Sequence, residues 1–477
     1  MTIFFGIALL TYIIYLPLIQ SFFLTSGDLS TLVESLRLHQ AAAFHGWQDL
    51  SPRCTPWVYR LLFYMGHSAF GVNGHEYAFF CVTLHLANGG LVYALGRRFS
   101  DDRRAAILGA AFFALQPAQA LITNLLYMTL QHATGAFFLM LCLLSLLRFW
   151  ESGRWSYGAV GFLSFLLGIL NQEMVLAVLV LTPLWISQRL PRDPEARGRV
   201  LTVATAIAIV SAAYTAMTVA IYFKGSIREY SPEGYGWGLH MISNLARYGA
   251  AMIGAGGDHD VMPLLDRLGF SFSPGQIKIA SDNAMPPWWI LCILVLALMS
   301  AGTRTMPRAS IRLGLASILA PLAVVLPFAG VLDMRYACLA SIFLCILLGA
   351  AAAPLWRRPW GRALCAALMT CWAYQTYDIC RWHRQHRAMA GQACSVIEEQ
   401  LCASRRPYLT DSVRQAYSLL AARGFDKRQL ALLLGDRCGE RLRKAFGTGA
   451  RVGGNGPSAD PGRSSAWAGS TAEGRYN

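Results

Sequence analysis

Charge is what this sequence has least of. Asp, Glu, Lys and Arg make up 14% of its 477 residues, against about a quarter in a soluble domain, while 55% are hydrophobic and the mean hydropathy is +0.40. Those values exclude an ordinary soluble domain and point to a polytopic membrane protein. The first apolar run lacks a small-residue cleavage site and is longer than a signal-peptide core, so it is expected to remain as a span. None of the 12 cysteines forms a metal-type CxxC pair, which removes the usual zinc signature. Cys142, Cys292, Cys345 and Cys365 lie inside apolar runs, where a thiol acts as a small hydrophobe. Cys54, Cys380, Cys394, Cys402 and Cys438 lie outside them, and one or two disulfides with no assignable pairing are open if that side is oxidising. Also missing are any Asn-x-Ser/Thr acceptor, which leans toward a bacterial inner membrane, any heptad run and any internal repeat. The net charge of +15 does not argue for nucleic acid, because the arginines gather at the ends of apolar runs.

What is present is a series of such runs. They fall at 3–24, 76–96, 105–125, 130–149, 156–171, 174–188, 200–223, 287–303, 311–331, 337–356 and 361–378, predicting an all-α protein with eleven crossings. With the N-terminus cytoplasmic, the inside connections Arg97 to Arg104, Arg148 to Arg154, Arg189 to Arg199, Arg304 to Arg312 and Arg357 to Arg362 hold 4, 2, 4, 3 and 3 arginines. The three short outside turns hold only Arg335, so the arginine bias sets the orientation. The stretch Tyr157 to Ile186 is too long for one helix across a core of about 30 Å. A hairpin with Asn171, Gln172 and Glu173 at an outside turn preserves the parity.

This arrangement puts two large regions outside, a first loop at about 25–76 and a second at about 224–287. The first, rich in Trp, Tyr, His and Arg, reads as a helical roof over an active site. The whole divides into a membrane module at 1–378, a small helical extracytoplasmic tail at 379–446 and a disordered tail at 447–477. Amphipathic stretches at Val396 to Leu401, Ser412 to Leu420 and Lys427 to Leu434 supply the helices of the tail, and the Gly/Ser/Ala-rich remainder cannot bury a core.

A polar side chain at membrane depth needs a reason. Asp28 stands where the first run meets water, and Glu173 faces the same side, as a second carboxylate or as a solvated turn. His85 and Asn88, three residues apart, share a helix face, for an interhelical hydrogen bond or for contact with substrate. Gln116-Pro117 and Gln119 lie midway along the third run, where proline loosens a helix and glutamines satisfy freed carbonyls. Gln131 and His132 start the fourth, as ordinary interfacial residues or as more. Arg335 and Tyr336 form an outer turn, fit for anchoring or for gripping a phosphate. Asn244 and Tyr248 stand out in the second outside region. Two carboxylates and an Arg-Tyr pair on one membrane face suit transfer of a group from a lipid phosphate to an acceptor on the outer side.

An ordered set of motifs sharpens this. Tyr59-Arg60-Leu61-Leu62, Gly71, Leu84-His85-Leu86-Ala87-Asn88 with Leu91-Val92-Tyr93, Phe112-Phe113-Ala114-Leu115-Gln116-Pro117, Gln172-Glu173 and Asp333-Met334-Arg335-Tyr336 resemble, in order and approximate spacing, the GT-C glycosyltransferases. The nearest likeness is to the protein O-mannosyltransferase-like and transmembrane-and-TPR O-mannosyltransferase branch. Here Asp28 stands alone where that family has paired acids, Gln116-Pro117 replaces His-Pro, and Gln172-Glu173 replaces Lys-Glu. The resemblance implies a GT-C-like enzyme that takes a sugar from a polyprenyl-phosphate donor. In it Asp28 acts as base on the acceptor hydroxyl in an inverting displacement, and Glu173 is a second catalytic acid. Arg335 and Tyr336, with Arg60 and Tyr59, lie near the donor phosphate and lipid, while His85, Asn88, Gln116, Asn244 and Tyr248 support the site. No clear ligand set for a divalent metal is visible, so cofactor use stays open.

The expected function is therefore a membrane glycosyltransferase acting on an extracytoplasmic glycan, lipid-linked saccharide or protein. The competing class is a transporter or flippase of lipid-linked saccharides, with His85, Asn88 and Gln116 lining a path. That class spreads polar residues through the full depth of matching halves, whereas here they concentrate toward one face.

Overall fold

The apolar runs become helices because a chain in hydrocarbon must satisfy its backbone polar groups within itself. A computed structural model describes residues 2–20, 24, 28, 29, 32, 57–71, 74–187, 194–223, 238, 240–254, 288–327, 336–403, 411–422, 425, 429, 430 and 434, and among them there is no strand. In chain order the helices are α1 Thr2–Gln20, α2 Trp57–Phe70, α3 Gly74–Ser100, α4 Arg103–Leu115, α5 Pro117–Asn124 and α6 Leu126–Ser152. They continue as α7 Trp155–Ile169, α8 Val178–Ser187, α9 Pro194–Phe223, α10 His240–Ile253 and α11 Trp288–Thr303. The last are α12 Arg308–Ala323, α13 Ala337–Leu355, α14 Pro359–Ile397 and α15 Asp411–Ala422.

A helix thus lies over each of the eleven predicted runs. By length and composition α3, α6, the Gly198–Met217 part of α9 and α13 qualify as spans, and α4 with α5 adds a fifth if that bent pair is one span. The apolar parts of α1, α7, α8 and α11 are shorter.

The centre is α13, where every residue except Pro354 is buried. It approaches α4 backbone to backbone. A Cβ built on Gly349 would lie 2.4 Å from the Ala105 carbonyl oxygen, and one on Gly109 would lie 3.2 Å from that of Cys345. Small residues let helices close to this distance, and close packing is what holds helices together where no water drives them. At its N-terminus α4 is capped by Asp102, whose Oδ1 accepts from the Arg104 N–H at 2.8 Å, as a helix N-terminus requires.

Three features bear on the site. The predicted hairpin exists, with α7 followed by a 3-10 turn at Glu173–Ala177 and then α8, but Asn171 and Gln172 at its apex are buried. In the first loop α2 ends at Gly71, whose φ of +60° favours glycine. Finally, α14 passes unbroken from Pro359 through 378 to Ile397, so its second half belongs to the predicted tail. Within that tail α15 covers Ser412 to Leu420, while Lys427 to Leu434 falls mostly, and everything after 447 wholly, outside the described residues. Cys380 and Cys394 are free, buried thiols.

Candidate functional site

The site is built on two interruptions of one helical path. Proline has no N–H to continue a helix, and at Gln116, extended at φ −73° and ψ 129°, α4 and α5 part at 51°. The carbonyls freed there are met from other helices. Ala114 O accepts from His85 Nε2 on α3 at 3.2 Å, and Leu115 O accepts from Thr376 Oγ1 on α14 at 2.8 Å. His85 also stacks on Phe113 at 5.0 Å between ring centroids and lies 5.2 Å from Tyr15. The glutamines reach farther. Gln119 Nε2 donates to Cys338 O at 3.0 Å and to Ser341 Oγ at 2.8 Å, whereas Gln116 Nε2 donates to Met252 O at 2.6 Å.

That last bond docks α10. Its final carbonyls at Met252, Ile253 and Gly254 are taken in turn by Gln116, by Trp372 Nε1 at 3.0 Å and by Gln375 Nε2 at 3.1 Å. The orphan carbonyls of a helix C-terminus are thereby satisfied. Asn244, near the other end of α10, donates to Leu326 O at 2.9 Å, and Tyr248 is buried between them in sequence.

The second interruption is at Leu125, extended at φ −115° and ψ 118°, where the C-terminus of α5 faces the N-terminus of α6. A helix presents partial positive charge at its first N–H groups and partial negative charge at its last carbonyls. The fold answers both. The wholly buried Asp28 accepts the Tyr127 N–H of α6 on Oδ1 at 2.8 Å. Arg387, buried on α14 beyond its apolar part, donates through Nη2 to Asn124 O at the end of α5. Burial pulls the Arg387 guanidinium down to about 10, with the Asp28 charge acting against that fall, so it is a cation at neutral pH. Asn124 in turn donates to Ala120 O at 2.7 Å and to Cys380 Sγ at 3.3 Å.

Beyond this joint α6 opens with a π turn, Thr129–Ala133, of the kind that re-aims side chains. His132 is buried there against Gln172 and meets the ring edge of Tyr336 at 5.9 Å. Asn171 donates to Gln131 O, and Asn88 donates to Ala133 O at 2.9 Å. The first-loop helix α2 closes over the same place. Val58 N–H donates to Leu170 O at 3.2 Å, Tyr59 is buried with its ring edge-on to Phe63 at 6.1 Å, and Arg60 is half-buried.

The predicted residues therefore separate. Asp28, Glu173, Tyr336, Tyr59 and Arg60 all belong to the α5–α6 joint, its π turn or the elements set against that turn, and Glu173 is the half-buried first residue of the 3-10 turn. His85, Asn88, Gln116 and Asn244 each spend a side-chain nitrogen on a backbone carbonyl. Arg335 lies outside the described residues. Among those residues no three His, Cys, Asp or Glu side chains come together as a metal site would need. Sequence reasoning missed Arg387, which sits among Arg381, His383 and Arg384 and reads as solvated. A signal was there, since Thr376, Cys380, His383 and Arg387 repeat at helical spacing and all four are buried.

No protein-family model matches this chain, and no curated protein matches it in sequence. Solved structures do match. The apo oligosaccharyltransferase of Archaeoglobus fulgidus shares 13% identity at a TM-score of 0.50, over 87% of this chain and 59% of that one. The chain has a GT-C-like membrane fold. The A. fulgidus AglB complex with an inhibitory peptide and a dolichol-phosphate matches at 13% and 0.47, again over 87% and 59%. ArnT of Cupriavidus metallidurans bound to undecaprenyl phosphate matches at 13% and 0.44, over 93% of this chain and 74% of that one. This chain thus spans 59% of the length of the archaeal oligosaccharyltransferase.

Proposed function

We propose that this protein is a GT-C glycosyltransferase that moves a sugar from a polyprenyl-phosphate donor to an acceptor hydroxyl on the extracytoplasmic side of the membrane. The observation that carries the reading is the joint at Leu125. There a buried carboxylate from the first loop holds the start of a spanning helix while a buried guanidinium, under the influence of its charge, holds the end of the helix before it, in a chain that shares its fold with an oligosaccharyltransferase. The arginine bias of the connections supports the outward orientation, and the ordered motifs favour the O-mannosyltransferase-like branch.

In this reading the acceptor oxygen attacks the anomeric carbon from the face opposite the phosphate, Asp28 takes the hydroxyl proton, and the polyprenyl phosphate departs with the bonding pair. The Tyr127 N–H at the start of α6 fixes the direction of the Asp28 carboxyl, and a helix N-terminus and a nearby guanidinium both suit an acidic side chain there. Arg387 is then a positioning residue. Arg335 and Tyr336, with Arg60 and Tyr59, hold the donor phosphate and its lipid, and Glu173 orients the acceptor.

The interrupted path also has the form of the discontinuous helices of transporters. In those proteins the half-helix ends face the substrate. Here Ala114 O, Leu115 O, Asn124 O and the Tyr127 N–H are all met by side chains of the protein itself, which favours the enzyme.

The test is donor binding and sugar transfer on purified variants. Asp28→Asn keeps an oxygen for the Tyr127 N–H but loses the base, so transfer falls by about 10² to 10⁴-fold while donor binding changes little. Arg335→Ala weakens donor binding by roughly 10 to 150-fold. Near-normal transfer by folded Asp28→Asn would refute the base. Normal donor binding by Arg335→Ala would leave that arginine an interfacial anchor.

A further inference from the structure

At the end of α3 and α6 remote from the Leu125 joint, a cavity of about 500 Å³ opens between the two helices, lined by Tyr93, Arg97, Arg98 and Asp101 on one side and Leu144 and Arg148 on the other. We propose that it binds the phosphate headgroup of an anionic membrane phospholipid.

The arginines come from two spans and meet only through packing. Some of their charge is already answered. Arg98 pairs with Glu151, Arg148 stands 3.8 Å from the same carboxylate, and Arg97 Nη1 donates to Asp101 O at 2.9 Å. Three arginines and one acidic residue, Asp101, line the cavity, and Glu151 is shared by Arg98 and Arg148. The excess is one positive charge, and a phosphodiester headgroup carries one negative charge. The Arg148 side chain remains 59% exposed, and a guanidinium fork matches two phosphate oxygens.

The rest of the lining suits a lipid better than a free anion. Tyr93, Ala94 and Leu144 give the cavity an apolar wall beside its arginines, against which the first part of an acyl chain can lie. Arginines bordering a cavity between spans at the membrane boundary are a recurrent setting for anionic headgroups. The proposal is independent of the reaction assigned to the opposite end.

The experiment uses the full chain purified in detergent, titrated with phosphatidylglycerol, phosphatidylcholine or inorganic phosphate and followed by native mass spectrometry and thermal melting. Phosphatidylglycerol binds and raises the melting temperature, and phosphatidylcholine and phosphate do so far less. In Arg97→Gln/Arg148→Gln the affinity for phosphatidylglycerol falls by roughly 30-fold, at about 5-fold for each cation at a membrane surface. Leu144→Trp, which fills the cavity and removes no charge, weakens binding as well. Arg308→Gln/Arg312→Gln, at another arginine cluster expected on the same face, leaves binding intact. An equal loss in that control reduces the effect to general surface attraction and overturns the proposal. So does full binding in both cavity variants, or protection by phosphate alone as strong as by the lipid.

Discussion

Replacing the two charged partners of the Leu125 joint singly and together gives a sharp outcome. Arg387→Met fills a similar volume without charge, but it leaves Asp28 buried against the Tyr127 N–H and deprives Asn124 O of its donor. Taking one member from a buried pair costs about 3–5 kcal/mol, and the α6 N-terminus still helps Asp28, so about 3 kcal/mol is expected. Asp28→Asn keeps the hydrogen bond to Tyr127 but strands the Arg387 cation, for a similar loss of about 3 kcal/mol. The double variant buries neither charge. Its main deficit is the charge-assisted bond to Asn124 O, about 1.5–3 kcal/mol, so it is no less stable than either single and the coupling is about 3 kcal/mol. Denaturant titration in micelles, read by tryptophan fluorescence for the four proteins, measures this. Penalties that simply add would refute the view that Asp28 and Arg387 share one field across the break. Sugar transfer adds a second reading, because retained transfer in Arg387→Met with none in an equally well folded double variant shows that the carboxylate is needed for chemistry beyond holding the joint.

Cys394 tests the burial of the predicted tail. Burial and, after it, the Glu398 charge push its thiol up to about 12, so in the folded protein maleimide at pH 8 leaves it unlabelled, and labelling begins above pH 11 or on unfolding; modification at pH 8 in the folded state would mean that this end of α14 opens. Gly349→Val drives a side chain into Ala105 O and the Gly109 backbone, and an overpacking loss of about 1–3 kcal/mol or more is expected; a melting temperature equal to the parent would show that α4 and α13 are not in contact there. A topology reporter fused after Ala422, beyond α15, reads extracytoplasmic if the arginine bias governs insertion, and a cytoplasmic signal would mean that one of the shorter apolar helices does not cross. Truncation after Gly447 leaves membrane insertion and transfer largely intact, which in-gel expression and the transfer assay check.

Much of the architecture was legible along the chain. Transfer of a segment into hydrocarbon depends on the sum of its own residues, and connecting arginines record orientation locally. For that reason each run carries a helix, although α14 continues well past its apolar run to Ile397, and Gln116-Pro117 announces its own break, since a missing N–H is a covalent property. The hairpin at 156–188 followed from length alone. What the sequence did not contain is who satisfies whom. Asn171 and Gln172 look like a wet turn, yet they are buried because the π turn of α6 and the first-loop helix α2 close over them. His85 and Asn88 leave two roles open at equal spacing, and only the position of Ala114 O and Ala133 O decides that they bond backbone. Asp28 reads as an isolated acid at a membrane boundary. Tertiary packing brings it to the Tyr127 N–H and into the field of Arg387, far along the chain, because the unmet ends of a broken helix in a low-dielectric interior must find partners wherever the fold supplies them.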